Sequence, residues 1–243
     1  MATYVLIHGA QHGGWCWRKV VRLLEAKGHF VVAPDLPGHG DDQTPPGTVT
    51  LESYAERICA VVSNQREPVI LVAHSAGGVA ITQAAEKCPN GIRTLVYVSA
   101  FLPRNGESAA SLTQQDPESM LSGNIVPDVE GAVCLRREVA HEALYGSCSA
   151  EDRAYATERL TPQPAAPLGA PVATSAERWG RIPRYYVECT GDRTITPKLQ
   201  REMQKNSPCR RTYSIDTDHS PFYSTPETLA EILAAVSAFE ATA

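Results

Sequence analysis

The chain is expected to fold as an α/β protein, with a mostly parallel sheet of about six strands, helices on both faces and an inserted helical cap. Three observations predict this. Short β-rich runs alternate with stretches of helical periodicity along most of the 243 residues. The strand candidates read as continuous apolar runs, as strands covered on both faces do. The alternation breaks between Pro103 and about Pro183 and then resumes. The expected division is a core formed by 1–102 and 184–243 with a cap insertion over 103–183.

The elements follow in order. Tyr4-Val5-Leu6-Ile7 is a strand closed by His8-Gly9-Ala10-Gln11-His12-Gly13-Gly14. Trp17, Val20, Val21 and Leu24 then take the i, i+3, i+4, i+7 spacing of a helix face, and Gly28 stops that helix. Phe30-Val31-Val32-Ala33-Pro34 is a second strand. Leu51, Tyr54, Ala55, Ile58 and Val62 mark the next helix, with Thr50 as its N-cap. Thr94–Val98, Arg184–Cys189 and Arg211–Ile215 are later strands, and Pro197–Lys205 is a helix. The final helix opens with Thr225-Pro226-Glu227, an N-cap, a proline at the first helical position and an acidic first turn.

The break carries helical patches over Glu107–Leu121, Leu135–Tyr145 and Ala150–Leu160, then a proline-rich passage over Thr161–Pro167. It is too long for a simple crossover and too rich in proline for another sheet unit, so it is read as a cap over the carboxyl ends of the strands. Leu135, Val139, Leu144, Tyr145 and Trp179 give it apolar surface to pack, which argues against a disordered linker.

The chain is organised around Pro68-Val69-Ile70-Leu71-Val72-Ala73-His74-Ser75-Ala76-Gly77-Gly78. A buried strand runs into a tight turn at Ser75 and straight on into a helix, the setting of a nucleophile elbow. Small residues are needed there because strand and helix nearly touch. Ala73 stands where the G-x-S-x-G pattern has its first glycine. Sites in open parallel sheets form beyond the carboxyl ends of the strands. Ser75, Asp192 and His219 occupy three such ends, in the chain order serine, acid, histidine. Serine is a poor nucleophile until a histidine takes its proton, and an acid fixes the imidazole tautomer. Asp216 and Asp218 sit too near His219 in sequence to be a separate acid arm. The oxyanion hole is expected from the backbone N–H groups of Ala76 and Ala10, with Gly9 clearing the way for the substrate oxygen. His8 is read as holding that loop, His39 and His74 as shaping the site, and His29 and His141 as ordinary surface or core residues.

These residues resemble the plant hydroxynitrile lyase and methylesterase branch of the α/β-hydrolases, with bacterial carboxylesterases of pyrethroid-hydrolase type as similar relatives. The resemblance is carried by Val5 through Trp17, Gly28-His29, Asp35-Leu36, Ala73 through Gly78, Gly191-Asp192 and Asp218-His219, nearly the whole chain outside the cap. It implies the α/β-hydrolase fold and cofactor-free chemistry with no metal. In that branch the lyases carry a threonine after the first-strand histidine and a lysine after the catalytic histidine. This chain has Gly9 and Ser220 there. A cyanide leaving group would find no cation at Ser220, which favours ester hydrolysis. Epoxide hydrolases and dehalogenases of the fold would carry aspartate where this chain has Ser75.

The expected activity is a serine carboxylesterase acting on small to medium apolar or aromatic esters. The alternatives are a lyase-like C–C bond-cleaving enzyme and a ligand-binding receptor on the same fold. Gly9, Trp15, His74, Tyr145, Trp179 and Phe222 are candidates for the substrate pocket. For the four aromatics among them plain core packing is the weightier alternative. A net charge of -5 gives no electrostatic reason for a nucleic acid or an acidic membrane as partner. No apolar stretch reaches the length of a membrane span, and the N-terminal apolar run lacks a basic flank and reads as a strand rather than a signal peptide. The seven scattered cysteines form no C-x-x-C pair and read as thiols in a reducing cytosol. The expected protein is cytoplasmic, and the sequence leaves monomer and homodimer both open.

Overall fold

The structure is a computed structural model that describes residues 1–241, so the last two positions of the expected core span lie outside the described residues. Six parallel strands form the main sheet: β1 (Thr3–Ile7), β2 (Phe30–Val32), β3 (Val69–His74), β4 (Ile92–Val98), β8 (Arg184–Cys189) and β9 (Arg211–Ile215), in the spatial order β2-β1-β3-β4-β8-β9. Around it lie α1 (Arg18–Ala26), α2 (Leu51–Ser63), α3 (Gly77–Lys87), α8 (Pro197–Asn206) and α10 (Pro226–Glu240). The strand order turns around between β1 and β3. That is the switch point where a crevice opens beyond the carboxyl ends.

Period-2 alternation along each strand feeds two cores. Val5, Ile7, Leu71, Ala73, Leu95 and Tyr97 face α2 and α3. Tyr4, Leu6, Ile70, Val72, Val96 and Val98 face the α1 and α10 side, with Leu24, Leu229 and Leu233. Every residue of β3 is buried, which is why its sequence shows no polar alternation.

Local chemistry sets the helix starts. The Thr50 hydroxyl accepts from the Ser53 N–H, and the Ser53 hydroxyl accepts from the Thr50 N–H, so the capping box of α2 is closed in both directions. Thr225 takes the N-cap position of α10 but makes no capping bond with its side chain; its hydroxyl donates to the Pro221 carbonyl instead.

Between β4 and β8 the chain forms α4 (Ala109–Thr113), β5 (Ile125–Pro127), β6 (Ala132–Leu135), α5 (Arg137–Tyr145), α6 (Ala150–Thr157), β7 (Gln163–Pro164) and α7 (Ala165–Gly169). Two expectations are corrected here. The helix expected over 107–121 is only α4, because Asp116 precedes Pro117 and that position resists the helical backbone. The stretch judged too proline-rich for a sheet contains the antiparallel three-stranded sheet β5-β6-β7, with Pro164 tolerated on an edge strand. After α7 the chain returns along α3, where the Trp179 indole N–H donates to the Tyr97 hydroxyl at 3.1 Å. A last short helix, α9 (Pro221–Ser224), follows the β9 loop.

The reading of all seven cysteines as thiols is also corrected. Cys59 on α2 and Cys88 at the end of α3 form a disulfide with Cα atoms 5.9 Å apart, while Cys16, Cys134, Cys148, Cys189 and Cys209 are free. The sequence hid this pair because its members lie 29 residues apart, one within α2 and one at the end of α3, and form no local motif. Closing a loop of that length stabilises the fold by about 3–4 kcal/mol on the chain-entropy argument. Among the described residues no helix is long and apolar enough to cross a membrane.

Candidate active site

Ser75 sits at the sharp turn between β3 and α3 with φ +52°, a left-handed backbone rare outside glycine. Close packing enforces the turn. A Cβ on Gly77 would lie 2.5 Å from the His8 carbonyl oxygen, and one on Gly78 would lie 2.0 Å from the Phe101 carbonyl oxygen. The Ser75 carbonyl accepts from the Gly78 and Phe101 N–H groups, which ties the elbow to the segment after β4.

From the elbow a hydrogen-bonded line runs inward. Ser75 Oγ lies 2.9 Å from His219 Nε2, and His219 Nδ1 lies 2.7 Å from Asp192 Oδ2. The three residues are buried, with His219 1% and Asp192 3% exposed. An Nδ1–H bound to a carboxylate leaves the Nε2 lone pair aimed at the serine hydroxyl, which is the geometry a general base requires. The carboxylate is itself fixed from several sides. Its Oδ1 accepts the N–H groups of Thr194 at 2.7 Å and Ile195 at 3.0 Å, while the hydroxyl of Ser99 and the amide of Gln200 reach Oδ2. Asp218 faces the other way and accepts the Ser147 N–H at 2.8 Å, joining the histidine loop to the cap.

Ala10 and Ala76 both line the cavity above Ser75. Neither backbone N–H has a partner among the described residues. Two free donors beside a nucleophile are what an incoming oxyanion needs. Gly9 has no room for a side chain, since its Cβ would lie 2.7 Å from Ser75 Cβ and 2.9 Å from His74 Nδ1. The same close approach covers His74 Nδ1, which has no hydrogen-bond partner among the described residues, while Nε2–H of that ring donates to the His219 carbonyl at 2.7 Å. Behind the loop, His8 donates from Nδ1 to the Gly9 carbonyl and accepts the Leu36 N–H at Nε2. Burial lowers His8 to about 4 and His12 to about 3, and it pushes His39 and His74 well below the ordinary histidine value.

The cavity has a volume of about 460 Å³. Leu121, Ile125, Leu135, Leu144 and Leu168 from the cap form much of its wall, with Phe101 from the core. No Asp, Glu, Lys or Arg lines it among the described residues. Transferring an unpaired charge into such a space costs several kcal/mol, so it suits a neutral ligand.

Comparison with known proteins agrees with this arrangement. The model of the alpha/beta hydrolase family matches residues 4–232. The chain belongs to the α/β hydrolase family. Within that family, Methylesterase 18 of Arabidopsis thaliana is 32% identical over 249 residues, covering 95% of this chain and 95% of the relative. The crystal structure of a pyrethroid hydrolase from Sphingobium faniae JZ-2 superposes with a TM-score of 0.85 at 30% identity, covering 96% of each chain. That of a methylesterase from Arabidopsis gives a TM-score of 0.84 at 27% identity, over 98% of this chain and 100% of the other. Both branches that the motifs resemble are therefore represented.

The hydrolase site differs from the expected pocket in one respect. His74 lines the cavity, but Gly9, Trp15, Tyr145, Trp179 and Phe222 do not. Trp15 stacks on His12 with ring centroids 5.3 Å apart, and Phe222 packs edge-on against His74 and close to Trp17. Tyr145 donates its hydroxyl to His12, and Trp179 lies behind the sheet. The aromatics are consumed in supporting the site, and aliphatic side chains shape the space instead. Sequence reasoning missed Ser99, which follows β4 with φ +44° and donates to Asp192. The rule that located the other site residues, a polar side chain just past the carboxyl end of a strand, would have found it.

Proposed function

We propose that this α/β hydrolase is a serine carboxylesterase that cleaves neutral, small to medium apolar or aromatic esters through an acyl-enzyme. The observation that carries the proposal is the Ser75–His219–Asp192 line opening beneath an uncharged, apolar cavity with two free N–H donors. Ser75 Oγ attacks the ester carbonyl as its proton passes to His219 Nε2. The oxyanion that forms accepts from the Ala10 and Ala76 N–H groups. His219 then gives that proton to the departing alcohol oxygen, leaving the acyl group on Ser75. Water repeats the sequence in reverse and frees the carboxylic acid. Each step moves a proton or an acyl group, so no cofactor or metal is needed.

Ester hydrolysis is favoured over cyanohydrin cleavage because, among the described residues, no lysine or arginine lines the cavity to receive a cyanide leaving group. The names of the relatives, methylesterases and a pyrethroid hydrolase, point the same way. The test is acid release from a short-chain aryl ester by wild type and by Ser75→Ala. Loss of a triad member is expected to lower kcat by about 10⁴-fold or more in a protein that remains folded. Turnover that survives the substitution, or an aldehyde or ketone product without acid, overturns the proposal.

A further inference from the structure

The oxyanion loop is held mostly from above. Residues 8–13 belong to no helix or strand, and a 3-10 turn begins after them at Gly14. The core fixes the loop at its two ends, through the Leu36 N–H to His8 Nε2 at 3.1 Å and through the Gly14 N–H to Asp35 at 2.7 Å. Between those ends the cap takes over. The Gln11 N–H donates to Gln163 Oε1 at 3.2 Å, and the Gln11 carbonyl accepts the Thr161 N–H at 2.9 Å. The Gln11 side-chain oxygen accepts the Leu135 N–H at 3.0 Å. Three bonds from two cap segments thus converge on the residue directly after Ala10.

Gln11 needs them. Its φ of +62° is left-handed, a conformation that costs a non-glycine residue about 1–3 kcal/mol and persists only where the surroundings over-determine it. The next residue carries a fourth link. The Ala10 carbonyl can only accept, so His12 Nδ1 holds the ring proton and donates it across 2.7 Å. That leaves Nε2 as a lone pair, which accepts the Tyr145 hydroxyl of α5 at 2.7 Å. The Ala10 carbonyl thus sets the tautomer, and a cap residue pairs the lone pair that this leaves on the far side of the ring. Burial keeps His12 neutral down to about pH 3, so the clamp does not depend on ordinary pH.

We propose that the cap completes the oxyanion hole: Gln11, and Tyr145 acting through His12, are positioning residues that hold the Ala10 N–H in line with the developing oxyanion. The inference rests on the esterase reading and on Ala10 as a donor. An oxyanion exists only in the transition state and the tetrahedral intermediate, so misalignment of its donor lowers kcat and spares KM. Loss of a whole donor costs about 10²–10³ in kcat, and a donor present but loosely held costs part of that, about tenfold.

The experiment compares wild type, Tyr145→Phe, Gln11→Asn and Ser75→Ala on one aryl ester. It adds inhibition by an alkyl trifluoromethyl ketone, which forms a tetrahedral oxyanion on the serine. Phenylalanine keeps the ring and removes the donor; asparagine tolerates the left-handed backbone but is too short to reach Leu135. Active sites are counted by the acylation burst, so that kcat refers to folded enzyme. Both variants are expected to lose about tenfold in kcat and in ketone affinity, with KM within about twofold of wild type. The pH at which kcat/KM half-rises should not move, because neither residue touches the His219–Asp192 pair. Lower melting temperature or fewer active sites, with kcat per site and ketone affinity unchanged, would show a purely structural role and overturn the inference alone. Turnover by Ser75→Ala overturns the esterase reading, and the inference with it. Gln11→Asn keeps the test decisive if Tyr145→Phe fails to fold.

Discussion

The carboxyl edge of the sheet and the cap above it are built from different materials. At the edge each group of the proposed triad hangs from the end of a strand, and its hydrogen-bond partner hangs from another. Ser75 follows β3, Asp192 follows β8, His219 follows β9, and Ser99 follows β4. The cap has strands of two to four residues, short helices, and aliphatic side chains that face the cavity. It meets the core through backbone amides and a few polar side chains, such as Gln163 and Tyr145. The difference separates two tasks. Rigid, long-range strand pairing places the Ser75, Asp192 and His219 side chains, and an irregular insertion forms much of the cavity wall and hydrogen-bonds to one loop.

The seam between the two regions should be the most acid-sensitive part of the molecule. His8, His12, His39 and His74 are all buried there as neutral rings, and desolvation is the first cause of each lowered value. In the unfolded chain these rings take up protons near pH 6.5. Between that pH and the folded values of about 4 for His8 and about 3 for His12, the unfolded state binds more protons. Stability therefore stands in full above about pH 6.5 and is lost as pH falls toward 4. His8 alone accounts for about 3 kcal/mol at the bottom of that window, since each unit is worth about 1.4 kcal/mol. Melting temperatures measured from pH 8 to pH 4 should be flat and then drop steeply. A flat profile down to pH 4 would break the picture of a seam of neutral histidines.

The edge is probed more finely through Ser99, whose hydroxyl is one of the donors on the Asp192 carboxylate. A hydrogen bond to a charged group is worth about 1.5–3 kcal/mol, so Ser99→Ala should lower kcat by about tenfold or somewhat more. Ser99→Gly removes the same hydroxyl but relaxes the positive φ. It should match the alanine variant in kcat while melting at a higher temperature. Equal and near-normal kcat in both would mean that the carboxylate is held well enough by the Thr194 and Ile195 amides and Gln200.

The same contrast explains what the sequence could reveal. Strand ends obey a local rule, so the elbow at Ser75 and the two arms at Asp192 and His219 are legible as single polar residues after apolar runs. The six parallel strands are legible because burial on both faces leaves continuous apolar runs such as Val69–Ala73. The cap gives no comparable signal. Its pairings join Ile125 to Leu135 and Val133 to Gln163, contacts between segments too short to show a period. Gln11 looks like one loop residue among many, because its importance lies in amides of residues more than a hundred positions away. The aromatic residues misled for a related reason. Composition shows that Trp15 and Phe222 must pack somewhere, but only the fold shows that they pack on His12, in the loop after β1, and leave much of the cavity wall to leucines.

If the cap sets only shape, filling its cavity should change which esters react without changing how they react. Gly169, the last residue of α7, lies on the cavity wall, and a Cβ there meets nothing within 4 Å. Its backbone is not left-handed, so a side chain adds volume without strain at that position. One or two methylenes in an apolar pocket discriminate by about 1–3 kcal/mol. At the low end, because the site is exposed, Gly169→Leu should lower kcat/KM for the bulkiest ester in a series by about fivefold. Acetyl esters should be hydrolysed at the wild-type rate, and the trifluoromethyl ketone with the smallest alkyl group should bind as before. Equal loss on small and large esters would mean that α7 reaches the reacting atoms through Ala165 and Gln163, and that shape and alignment are not separable in this cap.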